Sequence, residues 1–181
     1  QKNDFKNGAV DKVMSPNYNF HKYINILYDQ HIILYSNEYD ELKAEHLYTT
    51  LKNDFPNHNI IIEKLEIDDV IDLTEIKNKI ENKLISLSEH EIDIFFSPGT
   101  SVMQLVWCLC HIYLGLHTRL LQLRPANKSK SGYPELIELN IEKSEIAYSL
   151  LLKNNNISTN IIDETFKETN SIKHIKHLAL L

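Results

Sequence analysis

Short apolar runs alternate with longer stretches of helical periodicity along most of this chain. The apolar runs lie at residues 31–36, 60–65, 92–96 and 119–123. The helical stretches lie at residues 38–54, 72–84 and 100–116. Nearly continuous apolar sequence is typical of strands that are covered on both faces, as in parallel sheets. The pattern therefore predicts an α/β fold built on an open, mainly parallel, doubly wound sheet with helices on both faces.

The beginning of the chain predicts little regular structure. Residues 1–19 are mostly polar and contain no strand candidate. The spacing of Phe20, Ile24 and Leu27 indicates a helix only after that point.

The other end of the chain predicts a second unit. An edge strand at 136–139 and a helix at 142–153 complete the first domain, which we place at residues 1–153. The run of three asparagines at 154–156 is typical of a linker. A short amphipathic helix is expected from the spacing of Ile172, Ile175, Leu178 and Ala179. Residues 154–181 therefore form a linker and the start of a following domain.

Composition excludes several classes of function. The chain has 181 residues and a formal net charge of −6, so it lacks the basic balance that direct binding to duplex DNA requires. Its longest apolar run, Val102 to Leu116, is too short and too often interrupted to span a bilayer. Cys108 and Cys110 are too close in one segment to form a disulfide, and we expect no leader peptide. We expect a cytoplasmic protein in a reducing compartment.

No pattern of residues predicts catalysis. The nine histidines show no metal-ligand spacing with cysteines or acidic residues. The chain contains no nucleophile elbow, no P-loop and no dinucleotide fingerprint. We therefore predict no catalytic residue, no metal site and no cofactor.

The turn after the third predicted strand is a candidate ligand site. In open α/β sheets, ligands bind outside the carboxyl ends of the strands, where the strand order reverses. Here Ser97, Pro98, Gly99 and Thr100 join a strand directly to a helix. Gly99 permits a close backbone approach, and the first helical turn offers unpaired N–H groups beside the hydroxyls of Thr100 and Ser101, which suits phosphate or carboxylate. A plain helix cap that binds nothing is the other interpretation of these residues.

Positive charge lies close to this turn in the predicted sheet. The two arginines of the chain, Arg119 and Arg124, flank the fourth predicted strand, and Arg124 lies at its carboxyl end. Lys128 and Lys130 follow in a loop, 125–132, that contains no acidic residue. We expect a small positive pocket, formed by amide groups and both guanidiniums, that binds a polyanion. The alternative is an ordinary solvated loop.

The helix at 100–116 is apolar nearly all round. One stripe consists of Met103, Trp107, Cys110 and Leu114, and another of Leu105, Leu109 and Ile112. One stripe must pack on the sheet, and the other is left for a second copy of the domain or for another helix of the same chain. We assign the stripe of Met103, Trp107, Cys110 and Leu114 to a homodimer interface.

Three segments resemble the CRISPR-associated Rossmann-fold (CARF) domain. They are Phe95–Gln104 (FFSPGTSVMQ), Val106-Trp107 and Arg119–Pro125 (RLLQLRP). Within this Rossmann-like group, the chain is most similar to the N-terminal sensor of the sigma-54-dependent regulator of the bacterial RNA-repair operon, over roughly residues 16–140. Residues 168–181 also resemble the helix that opens the AAA+ domain of sigma-54-dependent activators.

The resemblance implies a function. CARF domains sense RNA-derived nucleotides, commonly cyclic oligoadenylates, across a homodimer. The chain would then be the sensing domain of a transcriptional regulator that binds oligoadenylate or RNA ends and acts on sigma-54 RNA polymerase through other domains. Together with the residue patterns, this gives the predicted ligand-binding set: Ser97, Pro98, Gly99, Thr100, Ser101, Gln104, Gln122, Arg124, Lys128 and Lys130.

Two departures from the family leave alternatives open. The widespread CARF turn carries a lysine where this chain has Ser101, and ring-cleaving members often rely on such a residue. A CARF effector or ring nuclease that cleaves cyclic oligoadenylate is nevertheless the main alternative, and a purely structural interaction domain is another. The family's leading strand is not visible before Phe20, so either it lies upstream of Gln1 or this chain replaces it.

Overall fold

Eight strands and four α-helices make up the part of the chain that this computed structural model describes, residues 4–24, 26–141 and 175–180. The strands are β1 (Phe5–Lys6), β2 (Ala9–Val10), β3 (Gln30–Tyr35), β4 (Ile60–Lys64), β5 (Glu91–Phe95), β6 (Thr118–Arg124), β7 (Glu135–Glu138) and β8 (Ile175–Leu180). The helices are α1 (Pro16–Tyr23), α2 (Glu38–Asp54), α3 (Leu73–Ser86) and α4 (Ser101–Tyr113), and a 3₁₀ turn covers Ala126–Lys128. Among these described helices, none has both the length and the apolar character that crossing a membrane requires.

Six of the strands form one sheet in the order β4-β3-β8-β5-β6-β7. Every neighbouring pair is parallel except β6 and β7, which are antiparallel. Side chains of α3 and α4 pack on one face of the sheet, and those of α1 and α2 pack on the other. The predicted fold class, an open and mainly parallel doubly wound sheet with helices on both faces, is confirmed.

Strand β8 fills the centre of this sheet. It pairs in parallel with β3 on one side and with β5 on the other, and the side chain of Leu178 is fully buried in the core shared with α3 and α4. The amphipathic helix predicted from Ile172 to Ala179 is therefore wrong, because the backbone over 175–180 bonds to two neighbouring strands instead of to itself. The predicted helix at 142–153 and the linker at 154–156 lie outside the described residues, and the division of the chain at residue 153 remains a prediction.

The position of β8 bears on the strand that seemed to be missing. In the common doubly wound order 3-2-1-4-5-6, the first strand lies in the middle of the sheet. Here β3 and β4 take the second and third positions, β5 and β6 the fourth and fifth, and β8 takes the first. Of the two alternatives for the leading strand, the structure corresponds to replacement within this chain.

The N-terminal segment is more regular than its sequence predicts. A small hairpin of β1 and β2 precedes α1, and α1 begins at Pro16 rather than after Phe20. The Ser15 hydroxyl caps α1 by accepting from the N–H of Tyr18 at 3.0 Å, and it also donates to the buried carboxylate of Asp4. Asn17 donates its side-chain amide to the same carboxylate at 3.0 Å. The expectation of no strand in residues 1–19 is wrong, because these polar side chains pair with one another instead of with water.

Three histidines meet where α1 packs near the start of β3. The Nδ1 atoms of His21 and His58 are 2.8 Å apart, and the ring centroids of His21 and His31 are 4.2 Å apart. His21 is only 4% exposed. Burial, and then repulsion by His58, lowers the pKa of His21 to about 3, and burial also lowers the pKa of His58. At neutral pH both rings are therefore uncharged.

This pair predicts that the protein loses stability in mild acid. The unfolded chain protonates its histidines near pH 6.5, but the folded protein resists protonation of His21 down to about pH 3. The contribution is therefore fully present above pH 6.5 and declines below it. Between pH 7 and pH 5 we expect the free energy of unfolding to fall by about 2 kcal/mol from His21 alone.

Urea denaturation at both pH values measures this loss. The His21→Phe variant should lose about 2 kcal/mol less than the parent over the same interval. Replacing the exposed His46 with Gln should leave the pH dependence unchanged. An identical pH dependence for the parent and His21→Phe would contradict the prediction.

Candidate functional site

The turn between β5 and α4 has the backbone geometry that its sequence predicts. Gly99 has a φ of +89°, which other residues rarely adopt, and Thr100 is the N-cap of α4. The Thr100 hydroxyl accepts from the N–H of Met103 at 3.2 Å and donates to the carbonyl of Val70 at 3.1 Å. It is therefore engaged within the protein and holds the turn in place.

Two other predicted ligand residues also stabilise this turn. The Gln104 side-chain amide donates to the carbonyl of Ser97 at 3.2 Å. The Ser97 hydroxyl accepts from the N–H of Leu123 at 2.9 Å, which ties the turn to the end of β6. Pro98 is buried beneath the turn, whereas Ser101 is exposed. The groups left for a ligand are the Ser101 hydroxyl and the N–H groups of Ser101 and Val102, since the N–H of Met103 is bonded to Thr100.

The two arginines have different roles. Arg119 forms two bonds to the carboxylate of Asp93, of 2.7 and 2.6 Å, and Tyr28 donates to the same carboxylate at 2.9 Å. Asp93 is only 1% exposed and the Arg119 side chain is 49% exposed, so Arg119 is engaged with a buried carboxylate at the edge of the core. The pKa of Tyr28 is raised, first by burial and then by the charge of Asp93. The expected pocket with both guanidiniums is therefore wrong.

Arg124 remains at the carboxyl end of β6, where the sequence predicts it. It is exposed, and one guanidinium nitrogen lies 3.4 Å from the carboxylate of Glu135 on β7. Hydrogen bonds from Ser129 and Ser131 lower the pKa of Glu135, so it is charged at neutral pH. Gln122 is also exposed, one pleat earlier on the same face of β6.

A cleft of about 410 Å³ opens beside this turn, between α1 and the loop that follows β6. Its walls come from three parts of the chain: Ser97 and Leu123 from the strand ends, Met14, Asn19 and Tyr23 from the N-terminal segment, and Asn127 and Tyr133 from the loop. The cleft therefore lies at the carboxyl ends of β5 and β6, the edge at which open α/β sheets bind ligands.

The surroundings of this cleft are positive. Lys128 and Lys130 are exposed in the loop that forms one wall, and the ammonium of Lys22 lies 5.1 Å from the centroid of the Tyr23 ring. Within residues 4–24 and 26–141, no carboxylate forms a salt bridge with Lys22, Lys128 or Lys130. In a chain with a net charge of −6, three uncompensated lysines around one cleft favour an anionic ligand.

A second cleft, of about 390 Å³, lies near the ends of β3 and β4 and has a different charge balance. Its two lysines are compensated, because Lys64 lies 3.2 Å from Glu38 and Lys79 lies 3.7 Å from Glu66. Asp68 adds a further negative charge to its wall. This cleft is less suited to phosphate than the one beside Ser97.

The stripe assigned to a homodimer lies inside the protein. Met103, Trp107 and Cys110 are at most 2% exposed and pack against the sheet and α3, and Leu114 is partly buried against the same core. A partner cannot reach them, so the assignment is wrong for the three buried residues. The outer stripe of α4 is more accessible, and Leu105 is 50% exposed.

Sequence reasoning missed the N-terminal wall of the cleft. Met14, Asn19 and Tyr23 come from a segment whose sequence predicts a polar loop or the wrong part of a helix. Tyr133, from the loop that forms another wall, was missed as well. Aromatic residues in otherwise polar segments were the available signal in the sequence. Tyr23 and Tyr133 both fit it, and the structure shows that both are exposed. In the described part of the chain, no group of three His, Cys, Asp or Glu side chains is arranged to hold a metal ion.

Comparison with known proteins finds a likeness of fold but no family match. No family model and no curated protein matches this chain. The fold is similar to that of a solved structure described as Enterococcus italicus Csm6 bound to cyclic hexa-2'-fluoro-hexa-dAMP, with a TM-score of 0.48 and 15% sequence identity. The match covers 77% of this chain and 34% of the other, so the present chain spans about a third of the length of that protein.

Proposed function

We propose that this chain is a ligand-sensing regulatory domain that binds an RNA-derived nucleotide, an oligoadenylate or an RNA end, at the carboxyl edge of its sheet. The observation that carries the proposal is the cleft beside Ser97, which lies at the strand ends and whose walls are formed by the helix and the loop that carry Lys22, Lys128 and Lys130. A nucleotide complements such a site, because it carries negative charge attached to a flat apolar group. The sequence resemblance to CARF sensors supports the same ligand class.

The predicted ligand residues divide into two groups in this proposal. Ser101 and the first N–H groups of α4 meet a phosphate, and Lys128 and Lys130 compensate its charge. Arg124 joins them when its guanidinium leaves the carboxylate of Glu135 and binds the ligand instead. Gly99 and Pro98 shape the turn, while Ser97, Thr100 and Gln104 hold it through the bonds described above. Gln122 lies beside Arg124 and contacts the ligand only if the ligand extends along β6.

The regulatory part of the proposal rests on the sequence resemblance. A homodimer would change its geometry when the ligand binds, and other domains would pass that change to sigma-54 RNA polymerase. Because Met103 and Trp107 are buried, the dimer contact would use the outer face of α4, where Leu105 is exposed. We expect the bound nucleotide to stay intact, because the Thr100 hydroxyl is occupied by Met103 and Val70.

Calorimetric titration tests the proposal. The ligands are cyclic and linear oligoadenylates and short RNAs that end in a 2′,3′-cyclic phosphate. We expect at least one of them to bind with a Kd below about 1 mM. The double variant Lys128→Glu/Lys130→Glu should bind it at least about tenfold more weakly, a loss of about 1.4 kcal/mol, because a positive contact becomes a repulsive one.

The matched control changes the charge equally but elsewhere. Lys6 and Lys43 are exposed on β1 and α2, two elements that contribute nothing to the walls of the cleft, so Lys6→Glu/Lys43→Glu should keep most of the affinity. Equal losses in the two double variants would show only a general effect of net charge. Failure of every ligand to bind would overturn the proposal, and appearance of cleaved product would favour the nuclease alternative.

A further inference from the structure

The walls of the cleft beside Ser97 carry two exposed aromatic rings from distant parts of the chain. Tyr23 ends α1 and is 39% exposed, and Tyr133 lies in the loop before β7 and is 66% exposed. Their ring centroids are 6.5 Å apart, with the ring planes inclined by 47°. A flat ligand between two rings needs roughly 7 Å, twice the contact distance between carbons. One aromatic ring system therefore fits between them if the Tyr133 side chain, which is exposed, rotates until its ring is parallel to that of Tyr23.

The rest of the cleft is apolar where a base would lie. Val13 is 77% exposed and Met14 is 57% exposed, and both line the same wall as Tyr23. Large apolar side chains that cluster at one exposed place commonly mark a binding surface. The volume of about 410 Å³ is within the range of small-ligand sites.

One buried polar group faces this apolar wall. Asn19 lines the cleft and is 8% exposed, and its side-chain nitrogen donates to the carbonyl of Val13 at 2.9 Å. This bond fixes the amide with its oxygen as the remaining acceptor. An amide oxygen accepts from the N–H groups on the edge of a nucleobase.

Charge decides what kind of aromatic ligand this is. The segments that form the walls of the cleft carry Lys22, whose ammonium lies 5.1 Å from the centroid of the Tyr23 ring, and Lys128 and Lys130, which are exposed beside the lining residues of the loop. A neutral aromatic metabolite or an apolar peptide uses the interior and leaves these charges unused, whereas a nucleotide uses both. Stacking of bases on aromatic side chains beside positive charge is the usual way in which proteins hold single nucleotides.

We infer that the cleft between α1 and the β6–β7 loop is a nucleobase site, in which Tyr23 and Tyr133 stack on the base and Asn19 accepts from its edge. The inference rests on the proposed function and adds to it the part of the ligand that is recognised. The phosphate then extends from the cleft toward Ser101 and the lysines of the loop.

Titration of the full chain with three probes tests this site. AMP carries base, sugar and phosphate; ribose 5-phosphate lacks the base; adenosine lacks the phosphate. We expect AMP to bind at least about tenfold more tightly than ribose 5-phosphate. Tyr23→Leu and Tyr133→Leu should each weaken AMP binding about 5- to 150-fold, which corresponds to the loss of one stacking contact between a base and an aromatic side chain. Tyr23→Phe should keep most of the affinity, because a phenyl ring also stacks.

The control variant is Tyr39→Leu. Tyr39 is 90% exposed and lines the second cleft instead, so its loss should leave AMP binding unchanged. Circular dichroism and thermal melting confirm that each variant is folded, as we expect for exposed side chains.

The outcomes separate this inference from the proposed function. If ribose 5-phosphate binds as tightly as AMP, or if the Tyr23 and Tyr133 variants bind AMP like the parent, the base site is wrong while phosphate binding stands. Loss of AMP binding in Tyr39→Leu alone would place the base in the other cleft and would also overturn it. Failure of AMP and of every oligonucleotide to bind would overturn the proposed function itself.

Discussion

Replacing Arg119 with Met is expected to destabilise the protein by about 2–3 kcal/mol. The carboxylate of Asp93 is 1% exposed and receives two bonds from Arg119 and one from Tyr28. Without Arg119, the hydroxyl of Tyr28 is the one hydrogen-bond partner that the described residues still offer this buried carboxylate. The cost of an uncompensated buried charge exceeds that of most surface changes. Urea denaturation at pH 7 measures the difference from the parent.

The other arginine provides the matched control for this experiment. Arg124 lies on the same strand, but its partner Glu135 is 3.4 Å away and both side chains are substantially exposed. Arg124→Met should therefore cost no more than about 1 kcal/mol. If the two variants have similar stability, the Asp93–Arg119 pair contributes less to the free energy of unfolding than the burial of Asp93 indicates.

Replacing Leu178 with Ala is expected to cost about 2–5 kcal/mol. Leu178 is fully buried, and it belongs to the core cluster that also contains Leu34, Ile94 and Trp107. Removing its terminal methyl groups forfeits their transfer free energy and leaves a cavity that the close-packed neighbours fill only in part. The loss is measured as a lower midpoint of urea denaturation with an unchanged slope.

A leucine on the surface separates burial from residue type. Leu42 on α2 is 63% exposed, so Leu42→Ala should change the stability by less than about 0.5 kcal/mol. An effect of Leu178→Ala as small as this would show that β8 does not lie in the core. The helix predicted for residues 172–179 would then have to be considered again.

Local signals explain which elements could be predicted. The apolar run at 92–96 and the strand β5 (Glu91–Phe95) differ by one residue, since continuous apolar sequence marks a buried strand. Asp72 caps α3 by accepting from the N–H of Thr74 at 2.8 Å, a local bond for which aspartate is a preferred residue at a helix start. The segment 175–180 carries no such signal. A short apolar run suits a helix or a strand equally, and only its distant partners β3 and β5 decide between them.

The candidate site shows the same limit. The turn from Ser97 to Thr100 could be found because a strand, a glycine and a capping threonine follow one another in the sequence. The different roles of Arg119 and Arg124 could not, because Asp93 binds Arg119 across neighbouring strands. The correct position of α1, the helix that forms one wall of the cleft, could not be predicted either. Its start at Pro16 depends on Ser15 and a carboxylate from the preceding hairpin.

The central position of β8 has a consequence for how the protein is made. Until residues 175–180 leave the ribosome, β3 and β5 have no strand between them, and the sheet exists only as two separate parts. Each part then presents an unpaired inner edge, which is the kind of surface that aggregates or recruits chaperones. Contacts between such distant segments also form slowly. We expect the nascent chain to complete this sheet only after translation has passed β8.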